Sequence, residues 1–428
     1  MHIFISFLLS MMITLLVVLT DTMEALVWVV DIFLIIFIIA KFYLYPRIKV
    51  DFFNIVYIGF LFLIYVDINS PPQQFEASIE LEAAKLIVLS FFILLSTLLI
   101  RQEIHNTGET DCFIPYKVTL GQKCFLFFLW GLYLVGMSPA AIEGLLFGRH
   151  STTLSGSWTE QYYTYLVAIS YVLPGYFALI YKKKLISLKT LLSLTVPIFI
   201  IEISTGTRFV FLFSFFIFST FIFDFENLKK RNVLLIFLMF LSVSVLMKDV
   251  RSGGIANDEY EQALIEKILH SEGLLFYFSG LVKYYKSHEH SYLPIQSSFV
   301  TYFYIPRSVW PDKPQLVGSW ILDTGVFNQN FSNRHSGSVT FLGPFYSDFG
   351  YVSLFLVFWL GVLLSKVEKV YFINVRKYNL VAIVAASTVP TLFFGLRSFN
   401  TSMLTFAVIC FLTIIYALLG FDSKKLVR

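Results

Sequence analysis

The sequence predicts an all-α polytopic membrane protein with about twelve transmembrane helices and one large external loop that contains an amphipathic helix. Composition is the first indication, because 57% of the 428 residues are apolar and only 14% are charged, too few for an ordinary water-facing surface. The apolar residues also occur in long runs, and a helix needs roughly 20 of them to cross the hydrocarbon core. These runs lack the alternation of apolar and polar residues that a membrane barrel requires.

The charged residues and cysteines argue against several other classes of protein. The formal net charge is +4, but the lysines and arginines fall at helix ends rather than in one basic patch, so nucleic acid is not a predicted partner. Cys112, Cys124 and Cys410 do not form a spaced cluster, so neither a disulfide framework nor a metal site is predicted. We therefore expect no cofactor.

Apolar runs bounded by charge, Pro or Gly predict where the helices lie. The predicted helices cover residues 3–19, 25–44, 51–66, 83–100, 122–138, 162–181, 189–204, 208–224, 233–248, 350–366, 379–396 and 402–420. The first run lacks a basic flank and a small-residue cleavage pattern before Asp21, which predicts a retained helix rather than a cleaved signal peptide. Only Thr205-Gly206-Thr207 separates the seventh helix from the eighth, so the two form either a tight hairpin or one long broken helix.

The distribution of basic residues predicts the orientation of the helices. Short cytoplasmic loops are enriched in Lys and Arg. The basic clusters lie in alternate loops, at residues 41–49, 101–123, 182–189, 229–231, 366–377 and 424–428. Both termini are therefore predicted to be cytoplasmic. The chain divides accordingly into helices one to nine over 1–248, an external loop over 249–349, and helices ten to twelve over 350–428.

The external loop is too long to be a simple connection and too rich in aromatic residues to be disordered. Within it, Asp258–Ser271 has apolar residues at helical spacing and Asn257 as an N-cap, which predicts an amphipathic helix. The next stretch, Leu274–Tyr285, is too short to span and is expected either in the membrane interface or packed on the bundle. Frequent Pro and Gly from Tyr292 to Gly350 predict an ordered, mostly irregular cap.

Two external motifs combine arginine with glycine. Arg208 follows Thr205-Gly206-Thr207 at the outer end of a short helix, where a snorkelling arginine and a phosphate contact are both consistent with the pattern. The adjacent glycine favours the phosphate contact because it permits close approach of the backbone. Arg251 precedes Gly253 and Gly254, which form either an anion-binding nest or an ordinary helix C-terminus.

The most distinctive motif is the decapeptide at residues 305–314, Ile-Pro-Arg-Ser-Val-Trp-Pro-Asp-Lys-Pro. Its three prolines stiffen the backbone, so Arg307, Asp312 and Lys313 would project with little entropy left to lose. We predict pyrophosphate binding for the two cations and a catalytic role for Asp312. Trp310 offers a flat face for stacking on a sugar ring, although an interfacial tryptophan explains it equally.

A fourth motif, Asn333-Arg334-His335-Ser336-Gly337, precedes the tenth helix. His335 could accept a proton from a sugar hydroxyl, and Arg334 could hold a phosphate leaving group. Asp348 competes for the role of base, with N-capping of the following helix as its structural alternative. Arg397 is also predicted to be external and to add a cation to the same site.

Three of these stretches resemble the O-antigen polymerase family, the oligosaccharide repeat unit polymerases. They are Thr-Gly-Thr-Arg at 205–208, Pro-Arg-Ser-Val-Trp-Pro-Asp-Lys-Pro at 306–314, and Ser-Gly-Ser-Val-Thr-Phe-Leu-Gly-Pro-Phe-Tyr-Ser-Asp-Phe-Gly at 336–350. The many helices and the large late loop are also similar, whereas the first helices share only hydropathy. The family often has an acidic residue at the position of Pro344, so a role for that carboxylate is not carried over and His335 or Asp348 must serve.

The resemblance implies a glycosyltransferase in a bacterial inner membrane, with its large loop in the periplasm. Its substrate would be an undecaprenyl-pyrophosphate-linked oligosaccharide, delivered by a flippase, with chain length set by a co-polymerase. Two other functions remain open at this point. An O-antigen ligase would share the fold and the lipid donor, and a flippase or transporter would share the number of helices but is expected to carry mid-membrane charges and short loops. Apart from Glu202, the predicted spans are nearly uncharged at their centres.

Overall fold

The computed structural model describes residues 13–44, 51–69, 79–101, 118–147, 158–205, 208–223, 273–303, 305, 309–327, 338–375 and 380–420. The regular elements in these ranges are helices, and residues 13–18 are also helical. An isolated parallel bridge between Thr340 and Ser398 is the one strand-type pairing of the described chain. The all-α prediction is therefore confirmed for the part of the chain that the structure describes.

The remaining helices are numbered here in chain order. They are α1 (Met23–Leu44), α2 (Phe52–Asn69), α3 (Leu81–Arg101), α4 (Leu120–Phe147), α5 (Trp158–Lys182), α6 (Leu188–Ser204), α7 (Arg208–Ile222), α8 (Leu274–Tyr285), α9 (Phe299–Tyr302), α10 (Val317–Asp323), α11 (Leu342–Phe349), α12 (Ser353–Val375), α13 (Leu380–Arg397) and α14 (Phe399–Leu418). Helix α2 contains a π-helical turn at Leu61–Tyr65.

Six segments are long and apolar enough to cross a membrane, which makes this a membrane protein. They are Met23–Lys41, Phe52–Asn69, Leu81–Leu99, Leu120–Ile142, Leu342–Phe372 and Phe399–Leu418. Large apolar side chains such as Trp28 on α1 and Phe355 on α12 are exposed, as expected of a surface that faces lipid. Twelve spans remain a prediction, since the predicted ninth helix at 233–248 lies outside the described residues, as does the amphipathic helix at 258–271.

The chain divides into two compact units. The first unit comprises Met1–Thr107, Leu269–Val370 and Leu392–Leu404. The second unit comprises Gly108–Ile268, Tyr371–Thr391 and Thr405–Arg428. Each unit thus combines stretches that are distant in sequence.

Helix α3 is the central helix of the first unit, since 83% of the residues in its apolar, membrane-length stretch are buried. Phe91 and Phe92 on α3 are fully buried, and their ring centroids lie 5.2 and 5.5 Å from that of Phe60 on α2. Phe37 of α1 meets Phe92 edge-on at 5.6 Å, and Phe341, just before α11, meets Phe91 edge-on at 5.1 Å. Aromatic side chains of the first unit therefore bury α3 from several directions.

A buried ionic cluster joins one end of three helices in the first unit. Lys41 Nζ, in the last turn of α1, lies 2.5 Å from Asp51 Oδ2 at the N-cap of α2. The Glu368 carboxylate of α12 accepts a hydrogen bond from the Phe52 backbone N–H at 2.6 Å. The sequence-predicted orientation assigns these three helix ends to the same, cytoplasmic side.

Helix α8 packs at the other end of α2 and α3. The Asp67 carboxylate accepts the Leu275 N–H at 3.0 Å, and Ser279 Oγ accepts the Glu80 N–H at 3.2 Å. All residues from Leu274 to Val282 are buried. Of the two sequence-based expectations for this stretch, packing on the bundle is therefore confirmed.

The predicted tenth helix differs at both ends from the observed structure. Gly350 has φ +56°, and this residue separates α11 from a short 3-10 turn and α12. A residue with a side chain rarely adopts this conformation, so glycine is required at the break. Helical structure begins at Leu342, before the predicted start at residue 350. It continues to Val375, beyond the predicted end of the apolar run at residue 366.

The second unit contains a helical hairpin. Phe199 on α6 packs against Phe211 and Phe215 on α7, with ring centroids 5.7 and 5.9 Å apart. Ser214 Oγ donates to Glu202 Oε2 at 2.6 Å. Residues twelve positions apart lie about 18 Å apart along a continuous helix, since each residue adds about 1.5 Å. Of the two alternatives predicted for this segment, the structure therefore shows the hairpin.

Candidate functional site

The structure describes half of the predicted site residues with their side chains, and all of these belong to the first unit. They are Asp348, Asp312, Lys313, Trp310 and Arg397. Arg208 begins α7 in the second unit, but its side chain is not among those described. Arg251, Arg307, Arg334 and His335 lie outside the described residues.

Asp348 lies in the last turn of α11 and is 1% exposed. Its carboxylate accepts the Gln296 N–H at 2.9 Å, the Ser297 N–H at 2.7 Å and the Ser297 hydroxyl at 2.7 Å. Its backbone oxygen accepts the Tyr292 N–H at 2.9 Å. Asp348 therefore fastens residues 292–297 to α11, instead of capping the helix that follows. Both carboxylate oxygens take part in this attachment.

Gln296 extends the same attachment to two further parts of the first unit. Its backbone oxygen accepts Asn400 Nδ2 at 3.0 Å, near the start of α14. Its side-chain Nε2 donates to the Gln315 oxygen at 3.0 Å, just before α10. The described residues of the cap thus share an ordered set of polar contacts.

A junction between two backbone segments places Arg397 beside the segment that follows the His335 motif in sequence. Arg397 ends α13 and is half-buried. The Phe341 N–H donates to the Leu396 oxygen at 3.0 Å, and Thr340 forms the parallel bridge with Ser398. The backbone therefore brings together two predicted parts of the site that are about 60 positions apart in sequence.

Thr340 has an unusual backbone conformation at this junction. Its φ is +61°, which is rare for a β-branched residue, and its side chain is 1% exposed. Backbone strain of this kind costs on the order of 1–3 kcal/mol and concentrates at functional sites. The contacts with Leu396 and Ser398 hold the strained residue in place.

Lys313 binds backbone oxygens at and just before the start of the decapeptide. Its Nζ donates to the Phe303 oxygen at 3.0 Å and to the Ile305 oxygen at 2.9 Å, and it lies 5.6 Å from the Phe303 ring centroid. Arg307 lies in sequence between these carbonyls and Lys313. The ammonium group that was predicted to bind pyrophosphate is therefore also a structural contact.

Trp310 and Asp312 of the same motif are exposed. Trp310 is 38% exposed, and its ring centroid lies 5.6 Å from that of Tyr302. Part of the Trp310 side chain thus remains accessible, and its role in stacking on a sugar stays a prediction. Asp312 is exposed.

The first unit also contains an aromatic surface that was not predicted as functional. We define it by Tyr284, Tyr285, His288 and His290, at and beyond the end of α8, and by Trp320 on α10. Two Tyr–His pairs are stacked, with centroids 3.9 Å apart at 6° in one and 4.1 Å apart at 16° in the other. The four-residue spacing of Tyr284 and His288 is a sequence signal that could have identified the first pair.

No protein-family model, curated protein or solved structure matches the chain.

Proposed function

We propose that this membrane protein polymerises undecaprenyl-pyrophosphate-linked oligosaccharide repeat units into O-antigen or a related surface polysaccharide. The observation that carries the proposal is the junction of Thr340 and Phe341 with the turn after Arg397. It links the stretch at 336–350, which resembles the O-antigen polymerases, to Arg397, a further predicted cation of the site. The contacts of Lys313 with the Phe303 and Ile305 oxygens also support the proposal, because they fix the two ends of the segment that contains Arg307 and so limit the entropy that a bound pyrophosphate would remove.

In the proposed reaction, a hydroxyl of the incoming repeat unit attacks the anomeric carbon of the growing glycan. The bond between that carbon and the phosphate oxygen breaks, and undecaprenyl pyrophosphate leaves. The proton of the attacking hydroxyl passes to a base, for which His335 is our first choice because the Asp348 oxygens hold the Gln296–Ser297 backbone. Arg307, Arg334 and Arg397 would stabilise the negative charge that develops on the leaving group.

We also propose that the cap faces the periplasm and that both termini lie in the cytoplasm. The positions of helix ends in the first unit support this orientation. The Lys41 end of α1 and the Glu368 end of α12 meet the start of α2, whereas α8 meets the opposite end of α2. The positive-inside rule assigns the Lys41 end to the cytoplasm.

The proposal is tested in a deletion strain of the source bacterium, complemented with wild type, Arg307→Ala, His335→Ala or Arg397→Ala. Glycan ladders are compared after the membrane level of each variant has been measured. We expect wild type to restore the ladder and each variant to leave mainly one repeat unit on the core. The loss should be roughly 10²-fold, as for removal of one electrostatic contact in a transition state.

Lys189→Ala is the matched control, because Lys189 is an exposed cation near the start of α6 and its loss should leave the ladder unchanged. Long polymer in the deletion strain would refute the polymerase proposal. Polymer that forms but is not attached to the core would indicate a ligase instead. Unpolymerised units on the inner leaflet would indicate a flippase.

A further inference from the structure

The aromatic surface combines one exposed ring, that of His288, with four partly buried rings that carry polar atoms. His288 is exposed and lies parallel to Tyr284, while Trp320 meets Tyr284 edge-on at 4.9 Å and 78°. His290 is held by Ser347, whose backbone oxygen lies 3.2 Å from His290 Nδ1. Because each ring is supported by another group, the surface is ordered before any ligand arrives.

Carboxylates lie beside this surface. Lys286 Nζ, next to the end of α8, lies 2.5 Å from Glu80 Oε2 and 3.3 Å from Glu82 Oε2. The Tyr351 hydroxyl donates to Glu82. The hydrogen bond from Lys286 to Glu80 raises the pKa of the lysine, so its ammonium stays charged. These three charges sum to one negative charge and leave further lone pairs of the carboxylates available as acceptors.

The rings and the carboxylates are connected beneath the surface by Tyr346, which is buried. Its ring centroid lies 5.2 Å from that of His290 and 6.1 Å from that of Tyr351, the hydroxyl donor to Glu82. Rings and carboxylates therefore form one continuous region of the first unit.

This combination suits a sugar better than a phosphate or a lipid. Aromatic faces pack on the apolar C–H face of a sugar ring, and carboxylates accept hydrogen bonds from its hydroxyl groups. Two carboxylates beside one ammonium repel a phosphate. A lipid-facing aromatic belt has mainly apolar neighbours, whereas the exposed residues Lys286, Ser287 and Glu289, which follow these rings in sequence, are polar.

We propose that the aromatic surface, with Glu80 and Glu82, binds an uncharged saccharide portion of the lipid-linked glycan, apart from its pyrophosphate. This inference rests on the proposed function for the identity of the ligand. It assigns sugar recognition to the end of α8 and leaves the pyrophosphate to the cationic residues of the cap.

The test measures binding of oligosaccharides, obtained by partial acid hydrolysis of the source strain's surface polysaccharide, to the purified full chain in lipid nanodiscs. Saturation-transfer NMR titrations compare wild type with His288→Ala and His288→Phe. The exposed position of His288 makes unfolding of these variants unexpected. We expect three- to tenfold weaker binding for His288→Ala, about the contribution of one aromatic contact, and near-wild-type binding for His288→Phe, which keeps a flat ring.

Tyr43→Ala is the control. Tyr43 is an 87% exposed aromatic residue near the C-terminal end of α1, outside the aromatic surface, so its loss should not affect binding. Absence of oligosaccharide binding by wild type, or equal binding by His288→Ala, overturns the inference even if the deletion strain loses its ladder. Conversely, binding that is weakened by His288→Ala supports the saccharide site even if the deletion strain still makes long polymer. The saccharide site and the polymerase function can therefore be refuted independently of each other. Equal binding combined with lower membrane levels of His288→Ala would assign the surface to the lipid interface.

Discussion

Asp348 and Ser297 are joined by two hydrogen bonds, since both the backbone N–H and the hydroxyl of Ser297 donate to Asp348 Oδ2 at 2.7 Å. The residues lie 51 positions apart. Their contact holds the beginning of the cap on α11, and Gln296 carries the attachment on to Asn400. A carboxylate that binds backbone groups in this way stabilises a loop whether or not it also takes part in catalysis.

Asp348→Asn should lower the stability of the cap. An amide group has one acceptor oxygen in place of two, so it cannot satisfy the N–H groups of both Gln296 and Ser297 while Ser297 also donates its hydroxyl. Hydrogen bonds to charged groups contribute about 1.5–3 kcal/mol, so we expect a loss of roughly 2–3 kcal/mol. Thermal unfolding of the purified protein measures the change.

Asp323→Asn is the control for this substitution, because Asp323 is exposed at the end of α10. If Asp348 were instead the catalytic base, Asp348→Asn would abolish polymer synthesis without changing the unfolding temperature. That outcome would refute the structural role assigned here.

Tyr302 provides a prediction about pH. Its hydroxyl donates to the Ile295 oxygen at 2.7 Å, and burial, followed by the nearby charge of Asp348, raises the pKa of Tyr302 to about 12. A folded-state pKa above the ordinary value of 10 means that the folded protein holds this proton more tightly. The stabilising contribution is therefore complete below pH 10 and is lost as the pH rises towards 12.

Tyr302→Phe removes this titration. We expect the difference in unfolding temperature between wild type and Tyr302→Phe to be constant below pH 10 and to shrink above it. Tyr292→Phe, at a position that is 64% exposed, is the control. A difference that grows between pH 10 and 12 would contradict the sign of the predicted effect.

Hydropathy predicted most of the helices, because the length of an apolar run can be read from the sequence of that run alone. It could not distinguish a hairpin from a broken helix at residues 189–224, because the distinction depends on contacts such as that between Glu202 and Ser214. The attachment of Asp348 to Ser297 is equally invisible in sequence, since the partners share no periodicity. Motif chemistry identified Trp310 and Lys313, but the structural use of Lys313 depends on two carbonyl oxygens that no motif specifies.

Lys313→Ala separates the structural role of this lysine from its predicted pyrophosphate contact. Loss of the bonds to the Phe303 and Ile305 oxygens should release these residues from residue 313 and make the segment between them more sensitive to protease. Polymer synthesis should fall several-fold, because the entropy of ordering Arg307 must then be supplied on binding.

Limited proteolysis of the purified protein, together with the glycan ladder, measures both effects of this substitution. Lys123→Ala, at an exposed cation on α4, is the control. A fall in polymer with unchanged protease sensitivity would mean that Lys313 acts only through the pyrophosphate.

Two glycines on α4 give a matched test of packing in the second unit. A Cβ added at Gly144 would lie 2.2 Å from the Ser204 oxygen at the end of α6, a backbone atom that cannot easily move, whereas a Cβ at Gly131 meets nothing within 4 Å. Small residues allow such close helix contacts in membranes. Gly144→Ala should therefore cost about 2 kcal/mol or more through overpacking, while Gly131→Ala should be neutral or stabilise by up to about 1 kcal/mol. Unfolding temperatures of the two purified variants provide the measurement, and equal temperatures would show that α4 and α6 do not approach each other this closely at Gly144.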